Sequence, residues 1–196
     1  MPKRPSEHME AQRERILLAA LRCIGELGIE GTSIAAIRKE ARLSAGALYT
    51  HFANKDAIVT EALRFGSVRE SYLPETWPEF VAAIASMADG DGFSITMVAR
   101  TQLQVFAIGI RPGAQHDLLK PIFDSALDLV VRHLEAMEQA NRVRLRMTPM
   151  QTALTIGAIR DGMMWSGLIL ERPLHEIEED IVEALSCLID PAGALP

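Results

Sequence analysis

TSIAAIRKEARLSAGALYTHFANK, residues 32–55, is the stretch on which the reading of this 196-residue chain turns. Ile34, Ile37 and Ala41 recur at helical spacing, so the stretch opens with a short helix capped by Thr32 or Ser33. Arg42-Leu43 forms a turn. Ser44 then caps a helix of barely two turns that buries Leu48 and exposes Ala45, Gly46, Ala47, Tyr49 and Thr50. Phe52 closes the small core, and Asn54 caps a further helix expected to run to about Tyr72, where Pro74 and Pro78 end it. Two short helices joined by a tight turn can lay the second in a DNA major groove while the first spans the backbone. Helix N-termini attract phosphate through free N–H groups and the helix dipole. Tyr49, His51 and Lys55 add a phenol, an imidazole and an ammonium beside them.

Upstream, Pro2 to about Glu10 reads as a loose polar tail in which Lys3 and Arg4 are solvated. From about Met9 to Leu27, Ile16, Ala19, Ala20, Cys23, Ile24 and Leu27 fall on one helix face, and Gly28 supplies a left-handed stop.

The spacing of these residues resembles the signature of the tetracycline-repressor (TetR) family. The resemblance is carried by Gly31-Thr32-Ser33-Ile34, Ile37, Ala41, Leu43-Ser44, Gly46, Leu48-Tyr49, His51-Phe52, Asn54-Lys55 and Ile58, with Ile16, Ala20 and Gly28 in the preceding helix. It spans roughly residues 10–65. It implies an all-α fold: a three-helix DNA-binding domain over 10–65, with its helix-turn-helix at about 33–52, then a larger helical ligand-binding and dimerisation domain over 66–190. It also implies a homodimeric transcription regulator, usually a repressor released by a small molecule; the alternative is a DNA-binding regulator of this kind that acts as an activator or without a small-molecule effector. Carried over by position, Thr32 or Ser33, Tyr49, His51 and Lys55 grip phosphates, and Ser44, Ala45, Gly46, Ala47 and Thr50 face the groove. Arg42 stands where the family usually has glycine, so it must tolerate a positive φ or reshape the turn; a phosphate contact is a further role for it.

The groove-facing set is chemically thin. With no Asn, Gln or Arg in the first turn, bidentate base contacts from Ala45 to Ala47 are excluded. Methyl contacts to thymine, close approach at Gly46 and DNA shape are left to specify a site.

Charge agrees with a polyanion partner at the front. The net charge is −6, yet residues 1–65 hold ten Lys/Arg against eight Asp/Glu, leaving the acidic excess to the remainder. Cys23 and Cys187 belong to no metal spacing and read as two buried thiols of a reducing compartment. The N-terminus has no apolar signal core, and Ala153–Leu170, the most apolar stretch, is interrupted by Arg160 and Asp161. A cytoplasmic protein without a membrane partner is expected.

Beyond residue 66 the pattern stays helical, with helices near 78–88, 93–110, 117–140, 149–171 and 174–189, about nine in all. They are separated by Gly90-Asp91-Gly92, Arg111-Pro112-Gly113, Asn141 to Thr148 and Arg172-Pro173. Ala158, Gly162 and Ser166 form a small-residue stripe. With the wide apolar face of the last helix (Ile177, Ile181, Leu185, Leu188), it is expected to meet a second copy of the chain in a four-helix bundle. An apolar pocket is expected among the middle helices, with Met97, Phe123 and Trp165 in its lining and Arg100, Gln104 and Asp161 as polar contacts to an unknown small-molecule effector. A buried charge needs a partner, and Arg100 with Asp161 is one candidate pair. Asp124, Asp128, Arg132 and Glu135 read as a solvated stripe. No Gly-rich phosphate loop, catalytic Ser/His/Asp order or metal-ligand spacing stands out, and the five histidines are scattered. Neither catalytic residues, a metal nor a cofactor is expected.

Overall fold

The computed structural model of the chain describes residues 5–66, 73–87 and 93–190. Among them are nine α-helices: α1 (Pro5–Gly31), α2 (Ile34–Ala41), α3 (Ala45–His51), α4 (Lys55–Gly66), α5 (Trp77–Ala85), α6 (Ile95–Gly109), α7 (Ala114–Gln139), α8 (Pro149–Ile169) and α9 (Leu174–Ser186). An isolated antiparallel bridge pairs Leu145 with Ile189. The all-α expectation holds.

Local chemistry accounts for most boundaries. Gly28 breaks α1 at φ 77, ψ 167, a region open in practice only to glycine. Thr148 and Gln151 form a reciprocal capping box at the start of α8, and Pro149 occupies its first turn. Asn141 and Glu171, both at positive φ, end α7 and α8. Behind them, the Arg142 N–H donates to Met137 O and the Arg172 N–H to Gly167 O, satisfying carbonyls that a helix end leaves open. One expectation at the front is corrected. Pro5 to Glu10 is helix and not loose tail, because nothing before Gly28 interrupts the pattern. The expected run of α4 to Tyr72, the Gly90-Asp91-Gly92 separator, and Lys3 and Arg4 lie outside the described residues.

The chain divides into two compact units. The first holds α1–α4 with Arg100–Ile122, which comprises most of α6 and the start of α7. It has two apolar clusters. Ile16, Ala20, Ile37, Leu48, Phe52 and Ile58 centre one. In the other, Val105, Leu119 and Ile122 pack with Ile24, Ile29 and Val59. Burying a side chain of this size stabilises by roughly 1.5–3 kcal/mol.

The second unit holds α5, the first turn of α6, α7 from Phe123, α8 and α9. Its core is built on Phe80, Met87, Leu134, Met137, Met164, Ile177, Ile181 and Leu185. Gly167 leaves room on α8 for Ile177 of α9: a Cβ there would lie 2.4 Å from Ile177 Cδ1. Ile177, Ile181, Leu185 and Leu188 are only 1, 0, 0 and 8% exposed. They close this chain's own core, which corrects their assignment to a surface facing a second copy. Ala158, Gly162 and Ser166 do lie exposed on α8, on a helix that also exposes Met150, Leu154, Met163 and Ile169, with Leu170 just beyond its end.

Two polar expectations for this unit are also revised. Asp161 pairs with its neighbour Arg160 at 2.8 Å, and Arg160 Nε donates to Ile84 O at the end of α5. Arg100, proposed as the partner of Asp161, is exposed. Cys187 is exposed too, so only Cys23 is a buried thiol. Asp124, Asp128, Arg132 and Glu135 are exposed as expected, and Arg132 pairs with Asp128 one turn away.

Candidate nucleic-acid interface

The geometry of the first unit starts from three side-chain caps. Ser33 Oγ accepts from the Ala36 N–H at 3.1 Å, Ser44 Oγ from Ala47 at 3.2 Å, and Asn54 Oδ1 from Ala57 at 2.9 Å. Each satisfies one of the donors a helix start leaves open. Thr32, the other candidate for the first cap, is buried and donates its hydroxyl to Gly28 O at 2.6 Å. Its neighbour Ser33 is the exposed cap.

Between α2 and α3 the chain turns through Arg42 at φ 53, ψ 46. The turn keeps the left-handed geometry that glycine would adopt most easily, and a non-glycine residue pays about 1–2 kcal/mol there. The Arg42 N–H donates to Lys39 O and the Leu43 N–H to Arg38 O, which closes α2.

Helix α3 buries one of its own residues, Leu48. Its other face is open to solvent: Ala45, Gly46, Tyr49 and Thr50 are exposed and Ala47 is half-buried. Nothing lies within 4 Å of where a Gly46 Cβ would be, so that position is free for close approach. Thr50 Oγ1 donates to Gly46 O at 2.9 Å. Tyr49 is 56% exposed, a large aromatic standing clear of the core. His51 is half-buried, with Nε2 3.3 Å from Gln12 Oε1, and Lys55 Nζ reaches Glu30 O at 3.4 Å. The face therefore combines small groups at the front of a two-turn helix with a phenol, an imidazole and an ammonium at its end and just beyond.

Two residues that the sequence reading passed over complete this geometry. Arg13 of α1 donates from Nη1 to His51 O at 3.1 Å and from Nε to Glu61 Oε1 at 3.1 Å, with its guanidinium carbon 4.5 Å from the centre of the Phe52 ring. Arg15 donates from Nε to Ala41 O at 2.7 Å and from Nη2 to Arg42 O at 3.0 Å. No local motif announces either contact, since the partners lie 26 to 48 residues away. Beside them, Arg15, Arg22, Lys39 and Arg42 line an open groove with Glu26 and Glu40, and Arg22 pairs with Glu40 at 3.1 Å. Burial pushes the Cys23 thiol pKa up from its ordinary value, and the charges of Glu40 and Glu26 add to the rise.

The six residues assigned to an effector are divided between the units. Arg100 and Gln104 belong to the first. There the Gln104 side chain lies against the break in α1: Nε2 is 3.5 Å from Gly25 O, and Oε1 is buried without a donor, 3.1 Å from where a Gly28 Cβ would sit. Met97, Phe123, Asp161 and Trp165 belong to the second unit, with Phe123 38% exposed and the other three half-buried. Among the described residues no group of three or more His, Cys, Asp or Glu is placed to hold a metal ion, and no helix is long and apolar enough to cross a membrane.

Residues 16–62 match the family described as bacterial regulatory proteins, tetR family. One curated relative is the HTH-type transcriptional repressor Rv1474c of Mycobacterium tuberculosis, 34% identical over 86 residues. That match covers 44% of this chain and 40% of the repressor, so the likeness spans less than half of either protein. Solved structures extend it as a shared fold. TylP, a tetR regulator from Streptomyces fradiae, superposes with a TM-score of 0.70 at 22% identity, covering 93% of this chain and 89% of TylP. The multidrug binding protein EbrR, solved with proflavin, superposes with a TM-score of 0.54 at 26% identity, covering 91% of this chain and 99% of EbrR. The family match lies within α1–α4, and along the rest of the chain the likeness is one of fold alone.

Proposed function

We propose that this protein is a transcriptional repressor that binds a palindromic double-stranded DNA operator as a homodimer in the cytoplasm and is released by a small apolar or amphipathic ligand. The observation that carries the DNA-binding part is the face of α3. A helix with one buried residue of its own holds Tyr49 out in solvent, with His51 and Lys55 following at the same end. Phosphate is the partner that a phenol, an imidazole and an ammonium share. Ser33, Ser44 and Arg42 stand at the ends of the two short helices, and Ala45, Gly46, Ala47 and Thr50 are left to meet base edges by methyl contact and close approach. Thr32 has both its N–H and its hydroxyl engaged with Gly28 O inside the unit, so Ser33 is the phosphate contact proposed at this end.

Two further observations support the rest of the reading. α8 exposes Leu154 and Ile169 at 55 and 78%, and Leu170 after it at 70%, along the side that carries Ala158, Gly162 and Ser166. A solvent-facing apolar row on a helix already packed on its inner side suits a second copy of the same helix, and a two-fold operator requires two heads. For the ligand, the support is that EbrR, a multidrug binding protein of the same fold, was solved in complex with proflavin. Within the second unit, Met97, Phe123 and Trp165 are the proposed apolar contacts and Asp161 the polar one; Arg100 and Gln104 belong to the first unit.

The test is a titration of Tyr49→Ala and Lys55→Ala against a duplex selected by the wild-type protein from a random pool, and against a scrambled duplex. Each variant is expected to lose affinity on both duplexes by about tenfold, since phosphate contacts carry no sequence information. A loss confined to the selected duplex would show that these side chains read bases.

A further inference from the structure

We infer that Arg13 and Arg15 of α1 are positioning residues that set the pose of α3 on DNA; this deepens the DNA-binding reading above and rests on it. Helices α2 and α3 have eight and seven residues, so their end groups make up much of each helix. The last carbonyls of a helix lack intrahelical donors and carry the negative end of its dipole. Here each short helix has its C-terminal end taken by one arginine from α1. Arg15 holds Ala41 O and Arg42 O at the end of α2, and Arg13 holds His51 O at the end of α3.

The same two side chains act where the unit is least self-supporting. α3 buries only Leu48, so its tilt is fixed chiefly at its ends: Ser44 at the front, Phe52 and Arg13 at the back. Arg13 lies over Phe52 and is forked onto Glu61, which ties the end of α3 to α4. Arg15 closes the turn where Arg42 holds a left-handed φ that a side chain disfavours. Each contact set needs a planar fork: Nε and a terminal nitrogen reach different acceptors at once. A lysine ammonium reaches a single point and has no flat face to lay on a ring. Arg13 is moreover neutralised by Glu61, so its charge is already committed within the protein. Fork geometry, not positive charge, is what these residues contribute.

The charge-conserving variants Arg13→Lys and Arg15→Lys separate the two roles in the full chain, using the duplex selected by wild type and its scrambled counterpart. Each variant is expected to bind the selected duplex about tenfold more weakly, with scrambled binding held within about twofold, because a misplaced reading helix loses base contacts before phosphate contacts. The slope of log affinity against log salt is expected to stay at the wild-type value. In the free protein, amide exchange should quicken at Arg42 and Leu43 in Arg15→Lys and at Phe52 in Arg13→Lys, while the rest of the unit keeps its protection. If Arg13→Lys fails to fold, the Arg15 variant and its exchange pattern decide the matter. Wild-type affinity in both lysine variants would overturn the proposal. So would a salt slope in Arg13→Ala or Arg15→Ala reduced by about 1, the mark of a lost phosphate contact. A wild-type protein that enriches no duplex would overturn the DNA-binding reading itself, a different result from either of these.

Discussion

The exposed face of α3 and the exposed face of α8 are opposites in chemistry. On α3 the open surface is small at the front and aromatic towards the back, with Gly46 unobstructed and Tyr49 exposed, while His51 is half-buried at the end and Lys55 begins α4. On α8 it is apolar along the helix, from Met150 and Leu154 to Ile169. A polar face on a poorly buried helix can meet a highly charged, water-covered partner at little desolvation cost. An apolar face stays favourable only when something dry covers it. The two surfaces therefore suit the two partners proposed above: nucleic acid for one, another protein helix for the other.

The strongest way to break this contrast is to put a charge on the apolar face. In the proposed dimer, Leu154→Asp would place two carboxylates across the two-fold axis, and we expect that dimer to weaken by about 3 kcal/mol or more, roughly a hundredfold in dissociation constant. Sedimentation velocity at micromolar protein reads this directly, and an unchanged sedimentation coefficient would remove α8 from the interface. The inner side of the same helix gives the next effect. Gly167→Ala forces a methyl into the 2.4 Å gap to Ile177 Cδ1 and should cost about 1–3 kcal/mol in denaturant unfolding. A variant as stable as wild type would mean that the buried Ile177 can turn aside freely.

On α3 the matching change is smaller. Ser44→Ala removes the cap on Ala47 and should cost about 1 kcal/mol. In a helix of two turns this loss should also weaken DNA binding, whereas the same loss in a long helix would not. Retention of full affinity would show that the end held by Arg13 suffices.

The smallest effect concerns Cys23. Its thiol pKa is raised from 9.0 by burial first, then by Glu40 and Glu26. The unfolded chain thus releases this proton at lower pH than the folded one. The contribution is fully present below about pH 8 and is lost as pH climbs past the unfolded value towards the folded one. Unfolding titrations from pH 7 to 10 should show a decline that Cys23→Ala flattens.

The same contrast explains what the sequence could and could not disclose. The α2–α3 region was legible because its devices are local: Ser33, Ser44 and Asn54 each cap the N–H three residues ahead, and Leu48 and Phe52 mark the buried side. Arg13 and Arg15 were missed because their acceptors are distant in sequence, and an arginine two residues from another on a charged helix looks solvated. In the second unit, periodicity identified α8 and α9 as helices yet could not say which apolar side turns inward. Ile177, Ile181 and Leu185 proved to be core, leaving the outward row to α8. The Arg160–Asp161 pair escaped for a geometric reason. Adjacent residues on a helix point away from each other, so a distant partner such as Arg100 was the natural expectation. The structure joins them because Arg160 bends back to Ile84 O and brings its terminal nitrogens alongside Asp161.

The hydroxyl of Thr50 carries one more consequence. Because Oγ1 spends its hydrogen on Gly46 O, only its lone pairs and methyl point outward. On the proposed interface Thr50 would be a one-way reader: it could take a hydrogen from the amino group of adenine or cytosine, or lay its methyl on thymine. To guanine, whose N7 and O6 only accept, it offers nothing. A helix with almost no polar equipment would still carry, at this one position, a built-in aversion to a single base.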